Sequence, residues 1–297
     1  MEIVGAFACS HSGLMISRRE LAPAAQQAAV AAAFTAMGEA IRALEPDALI
    51  LIGTDHARIY PLSLVPQFTI GVNAVAQAIG DAELPAGDYP VHQKCAQAVL
   101  KGCLAEGIDL AYSEAMRIDH SFVAPLLLAL PGTSPPIVPI AQNCNVPPLP
   151  PLRRSRAFGQ KLASALRDAP GDARVVLIGT GGLSHWVGSR AYQDFMREPA
   201  GTRLERIGGM KLVLDDTGEV NEAFDEAFLD MMCAGRTERF VAEWDDDRLQ
   251  SEAGNGAQEL RNWVAIAGAV GDRRGRVLGY QPVKEWLTGI GVVAFTP

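Results

Sequence analysis

The 297-residue sequence predicts an α/β fold: one domain, spanning residues 1–297, with a central, mostly parallel or mixed sheet flanked by helices. Three observations carry that expectation. Four short apolar runs, at residues 3–8, 48–52, 137–140 and 175–178, lack the alternation of a half-exposed strand and so read as strands covered on both faces. Longer stretches of helical character separate them, which is the pattern of a sheet wrapped by helices. A hydrophobic content of 48% over this length is enough for one substantial core.

The elements follow in chain order. The first strand, IVGAFA, leads into an alanine-rich helix over residues 23–44, alanine being the strongest helix former. The second strand belongs to LILIGTDH, and the amphipathic VHQKCAQAVLKG opens a surface helix over 91–106. A short apolar helix over 122–130 precedes the strand at 137–140, and a further helix covers 152–167 before the strand at 175–178. Residues 221–239 and 256–270 read as helices, and GVVAFT near the end as a closing strand. The proline-rich NCNVPPLPPLRR is the one credible linker, but its length suits a loop within a domain equally well. LILIGTDH and VLIGTGGLSH share a strand-Ile-Gly-Thr-turn-His plan without any periodic array.

Composition excludes several classes of function. A net charge of −8 and a pI near 5.2 offer no footprint for nucleic acid or for an anionic membrane, which clustered Lys and Arg would attract. The expected partner is a small molecule. Five scattered cysteines, Cys9, Cys95, Cys103, Cys144 and Cys233, form neither a C-x-x-C pair nor a disulfide framework and suit a reduced cytoplasm. MEIVGAF has no basic signal-peptide region, and Gln26, Gln27 and Glu39 interrupt the alanine-rich helix, so no membrane segment is expected. The P-loop, H-E-x-x-H and G-x-S-x-G signatures are missing.

The chain has five histidines, and three of them, His11, His56 and His185, close strand-like runs. In open α/β sheets ligands collect beyond the carboxyl ends of strands, so these rings are expected to converge there on rigid supports. His120, in RIDHSF, falls near the N-terminus of the short apolar helix, whereas His92 reads as a solvated residue. Two histidines and one carboxylate leave three faces of an octahedral metal open, the arrangement with which non-heme Fe(II) enzymes bind substrate and O2 together. EAGNGAQELRNWVAIAGA offers Glu252 and Glu259 as the carboxylate, and its Gly-Asn-Gly turn would allow close backbone approach to a site. Asp55 and Asp119, each directly before a histidine, are either orienters of imidazole N–H groups or turn residues. Cys9 is a possible soft ligand on the side of His11, with no second cysteine nearby.

ACSHSG, LILIGTDH, EAMRIDHSFVAPL, IGTGGLSHW and GNGAQELRNWVAIAGA, in that order and across nearly the whole chain, resemble the class III extradiol ring-cleavage dioxygenases. The DH and G-L-S-H segments are most similar to the 2,3-dihydroxyphenylpropionate 1,2-dioxygenase branch. The resemblance implies an oligomeric α/β enzyme with Fe(II) held by His11, His56 and Glu259, and with His120 and His185 as the acid/base pair. It implies extradiol cleavage of a catechol-type aromatic with O2 to a ring-opened semialdehyde acid. His185 is assigned the proton abstraction and His120 the acid role, an order the sequence leaves exchangeable. Relatives commonly carry glycine after DH where this chain has Ser121, whose hydroxyl would meet the substrate or reshape the pocket. Three other readings compete: a same-site dioxygenase for a 2-aminophenol, gallate, protocatechuate or hydroxypyridine, a metal-free binding module on the same fold, and a zinc hydrolase using the same ligands.

Overall fold

The computed structural model describes residues 1–188, 190–203, 218–271 and 273–295. The strands are β1 (Glu2–Cys9), β2 (Ala48–Gly53), β3 (Phe68–Gly71), β4 (Val75–Ala78), β5 (Gly87–Pro90), β6 (Ala111–Ser113), β7 (Arg117–Ile118), β8 (Ile137–Gln142), β9 (Arg174–Thr180), β10 (Gly275–Val283) and β11 (Thr288–Phe295). The helices are α1 (Leu14–Ser17), α2 (Ala24–Ala43), α3 (Gln93–Ala105), α4 (His120–Ala129), α5 (Leu152–Asp168), α6 (Arg190–Arg197), α7 (Glu222–Cys233), α8 (Thr237–Glu243), α9 (Asp246–Ala253) and α10 (Leu260–Val270).

An eight-stranded mixed sheet in the order β10-β11-β1-β9-β2-β8-β3-β6 forms the centre of a single α/β domain. Its middle strands β1, β9, β2 and β8 run parallel, while β11 and β3 pair antiparallel on either side. Every residue of β2 and β8 is buried, as expected for apolar strands covered on both faces. A small sheet, β5-β4-β7, lies beside the main one. Because the middle strands are parallel, the carboxyl ends of β1, β2 and β9 open on one edge, where His11, His56 and His185 follow them.

Helix α10 is buried from Leu260 to Ala269, and small residues bring it unusually close to α5. A Cβ on Gly159 would lie 1.8 Å from the carbonyl oxygen of Ala265, and one on Gly268 would lie 2.2 Å from that of Arg156. The contact has no room for a side chain at either position. Arg261, fully buried in this helix, is satisfied by the carbonyl of Pro150 and by Gln258 and Asp246.

The structure corrects some element boundaries. The helix expected over 221–239 is broken by Gly235, whose φ of 66° is left-handed, into α7 and α8. The helix expected from 256 begins as a 3-10 turn, Gly256–Glu259, and becomes α-helical only at Leu260. Strands β3 to β7, β10 and helix α9 were not anticipated, because they are short or polar and their pattern carries no strong period. The closing strand is confirmed as β11, with Thr296 of GVVAFT outside the described residues. NCNVPPLPPLRR is a loop within the fold, where Asn145 donates to Thr54 Oγ1 and to the carbonyl of Asp55.

Candidate active site

Each strand exit is tied down by its own polar contacts. After β1, the Ser10 hydroxyl donates to the carbonyl of Gly289 and accepts from the N–H of Gly291, anchoring the approach to His11 on β11. After β2, Asp55 accepts the N–H groups of Arg58, Ile59 and Tyr60 at 2.9 Å each, forming a tight turn in which Ala57 takes a left-handed φ of 54°. That conformation is strained for a residue with a Cβ, and it sits directly beside His56.

Asp119 caps α4 by accepting from Ser121 N–H at 2.9 Å, and its other oxygen accepts from the backbone N–H of His56 at 3.1 Å. The Ser121 hydroxyl donates to the carbonyl of Thr54 at 2.8 Å and accepts from its N–H, stapling the exit of β2 to α4. After β9, Asp225 accepts from both the N–H and the hydroxyl of Ser184, and the N–H of His185 donates to the carbonyl of Ala253. The Gly-Asn-Gly turn makes the expected close approach. A Cβ on Gly254, at φ 94°, would lie 2.1 Å from the His185 carbonyl oxygen, and one on Gly256 would lie 2.2 Å from the His185 ring.

Five of the expected groups converge. Glu259, with 0% exposure, lies 2.9 Å from His56 Nε2 through one oxygen and 3.1 Å from His11 Nε2 through the other. The second oxygen also stands 3.5 Å from His185 Nε2 and accepts from Gly182 N–H at 3.0 Å. The His56 and His120 rings stack at 4.1 Å between centroids, and His11 stands edge-on to both at 5.3 and 5.7 Å. Behind the stack, Asp119 Oδ2 lies 2.9 Å from His56 Nδ1, and Asp81 Oδ2 lies 2.5 Å from His120 Nδ1.

Charge and burial pull against each other here. Burial disfavours the ionised form of Glu259, but His11, His56 and His185 outweigh it and hold the carboxyl well below its usual range. Burial likewise opposes charge on His56, yet Asp119 and Glu259 overcome it and raise that ring well above an ordinary histidine. His11 and His185 are lowered, in both cases chiefly by burial.

The donor set fits a metal ion. His11 is buried, and neither ring nitrogen makes a hydrogen bond; its Nε2 is close to Glu259 but is not aligned as an N–H donor. Two donors at right angles, each about 2.1 Å from one cation, stand about 3 Å apart, which matches the 2.9 and 3.1 Å separations of Glu259 from the two rings. A ligand atom from each of His11, His56 and His120 also lies within 4.8 Å of the others, so these rings form a group that could hold an ion. Buried carboxylates on this scale call for a compensating cation.

Over the cluster opens a cavity of about 790 Å³, within the usual range of small-molecule sites and lined by all four of these histidines together with Tyr60, Tyr192, Trp186, Phe195, Arg58 and Arg197.

Other expectations resolve differently. Glu252 is exposed and pairs with Arg248, so Glu259 alone of the two reaches the cluster. Asp55 is a turn residue, while Asp119 orients the ring of His56 and not that of its neighbour His120. Cys9 is buried and is not among the residues that form the donor group, and His92 caps α3 by accepting from Cys95 N–H. Ser121 faces the backbone of Thr54, not the cavity, which corrects the expectation that its hydroxyl meets a substrate. Asp81 was missed, since it lies 39 positions before His120 with no motif linking the two.

Fold and site thus define an α/β protein with a candidate metal centre beyond the carboxyl ends of parallel strands, under a pocket of a size for one small molecule. Residues 5–291 match the family described as the catalytic LigB subunit of aromatic ring-opening dioxygenase. The chain belongs to this family and is a ring-cleaving dioxygenase of the extradiol type. It is similar to 2,3-dihydroxyphenylpropionate/2,3-dihydroxicinnamic acid 1,2-dioxygenases from a Rhodococcus species, at 32% identity over 89% of this chain and 90% of the relative. A protein of the same name from Photorhabdus laumondii is 29% identical over 93% and 92% of the respective chains. Among solved structures, an uncharacterized protein from Escherichia coli K12 shares the fold, with a TM-score of 0.60 at 13% identity over 98% of this chain and 99% of that one.

Proposed function

We propose that residues 1–297 form one catalytic domain that cleaves a catechol carrying an acidic side chain, of the 2,3-dihydroxyphenylpropionate kind, with Fe(II) and O2. The observation that supports this most is the Glu259 carboxylate lying between the Nε2 atoms of His11 and His56, with the rings of His120 and His185 lining the same cavity. His11, His56 and Glu259 would hold the iron, a set of two imidazoles and one carboxylate that leaves positions open for substrate. The chemistry such an ion supplies when bound is orientation of the diol and O2 and a path for electrons between them.

The remaining steps belong to the chain's own side chains. His185 Nδ1 lies 3.0 Å from the carbonyl of Leu183, which can only accept, so the proton sits on Nδ1 and the Nε2 lone pair is left for the cavity. His185 therefore serves as the base that takes a catechol proton. His120 serves as the acid that returns a proton to oxygen as the ring opens, the product being a ring-opened acid whose second carbonyl is an aldehyde where the cleaved carbon carries hydrogen and a ketone where it carries the side chain. Tyr60, Tyr192, Trp186 and Phe195 give the ring an apolar wall and exclude water, and Arg58 and Arg197 are the cations lining the cavity, among the described residues, that an acidic side chain would meet. The enzyme is taken to act as a cytoplasmic homo-oligomer, which sedimentation and cell fractionation would check.

The test is oxygen uptake with simultaneous visible spectra after anaerobic loading with Fe(II), across substituted catechols, 2-aminophenol, gallate, protocatechuate and hydroxypyridines. One O2 consumed per yellow product formed, with dihydroxyphenylpropionate preferred, is expected. An iron-loaded protein that consumes no oxygen with any of these aromatics would overturn the proposal.

A further inference from the structure

We propose that Asp81 is a positioning residue for His120: its carboxylate selects the ring tautomer and thereby presents Nε2, with its lone pair, to the cavity. The proposal rests on the reading of His120 as a proton-handling group.

Asp81 comes from the loop between β4 and β5, far from α4 in sequence. It is 6% exposed, and it grips His120 twice. Oδ1 accepts from the backbone N–H of His120 at 2.9 Å, and Oδ2 lies 2.5 Å from Nδ1. The loop that delivers it is contorted, with Gly80 at φ 74° before it and two residues bearing a Cβ, Ala82 and Glu83, left-handed at 51° and 61° after it. Such backbone conformations persist where surrounding structure holds them in place.

An ionised carboxylate has no proton to donate, so the short contact requires the hydrogen on His120 Nδ1. With Nδ1–H committed, Nε2 is the atom that takes up a proton from the cavity and, as the acid, gives it back to oxygen. The same arrangement recurs on the other ring of the stack, where Asp119 takes the Nδ1 side of His56. Each ring of the stacked pair thus has its own carboxylate. Arg58 Nε, 3.8 Å from Asp81 Oδ2, is the next charge outward and supports the carboxylate without displacing His120.

Asp81→Asn separates positioning from folding. The amide oxygen can still accept from the His120 backbone N–H and keep the loop closed, whereas the amide nitrogen can only donate to the ring. The proton is then forced onto Nε2, which can no longer accept one. In iron-loaded enzyme we expect kcat to fall about 10²-fold, with KM changed less than about two-fold and iron content unchanged. In a His120→Ala background the same substitution should leave the small residual single-turnover rate unchanged, the mark of a residue acting through that ring. Nitrogen-15 NMR should report the Nδ1–H tautomer of His120 in the wild-type protein and its loss in the variant.

An Nε2–H tautomer in the wild type would overturn the proposal, and so would an undiminished kcat in the variant. Loss of iron from Asp81→Asn would also overturn it, since His120 would then act as a metal ligand held by its carboxylate. If the wild-type enzyme turned over no aromatic substrate, the functional reading would fail while the tautomer measurement still decided whether Asp81 governs His120.

Discussion

Glu259 shows how much a single side chain depends on its surroundings. A carboxylate removed from water is costly unless matched by charge and donors, and here it meets His11, His56 and the N–H of Gly182. Glu259→Ala should therefore abolish iron binding, as should His11→Ala and His56→Ala, when metal content is measured after anaerobic reconstitution. Glu252→Ala, altering an exposed residue, should leave iron unchanged. His120→Ala and His185→Ala should retain iron and lose turnover.

Asp225 gives a separate prediction at the same scale. Burial pushes its carboxyl up to about 7 despite donors from Ser184 and Tyr280. Because the folded value lies above the unfolded one of about 3.9, its contribution to stability is fully present below pH ~4 and is lost as pH rises to and through about 7. Asp225→Asn should flatten that part of the stability-pH curve measured by urea unfolding.

Among the elements, the junctions at the sheet edge set the geometry. Ser121 links the exit of β2 to the start of α4 through both backbone groups of Thr54. Ser121→Gly should leave those groups unpaired and cost about 2 kcal/mol in chemical denaturation, with the order of preference among catechols unaltered. The turn before Glu259 presses against His185, so a methyl group on Gly256 must displace that ring. Gly256→Ala should lower kcat about 10²-fold through this displacement, with iron retained. Behind the turn, the glycine contact between α5 and α10 fixes the helix that Glu259 leads into. Overpacking it with Gly159→Ala should cost about 1–3 kcal/mol or more.

For the molecule as a whole, the site couples chemistry to stability. Glu259, Asp119 and Asp81 place three carboxylates in one buried cluster, so a bound cation should stabilise the folded state. Iron at about 100 times its Kd should add about 2.7 kcal/mol, seen as a Tm that rises with Fe(II) and falls with chelator in the wild type but not in Glu259→Ala. Among the described residues no helix is long and apolar enough to cross a membrane.

Much of this could be read along the chain. Buried strands announce themselves as unbroken apolar runs, and a residue at the end of one inherits its position from the sheet, so His11, His56 and His185 are legible in the sequence. What escaped was whatever depends on segments meeting across the fold: the burial of Glu259 against the exposure of Glu252, Asp119 serving His56 in place of its neighbour, Ser121 turned to Thr54, and Asp81 holding His120. Hydrophobic period and turn chemistry are local, so chain order alone shows which groups are available and which strands carry them. Which carboxylate stands behind which imidazole emerges on folding, because that pairing is set by distances between loops that chain order does not encode.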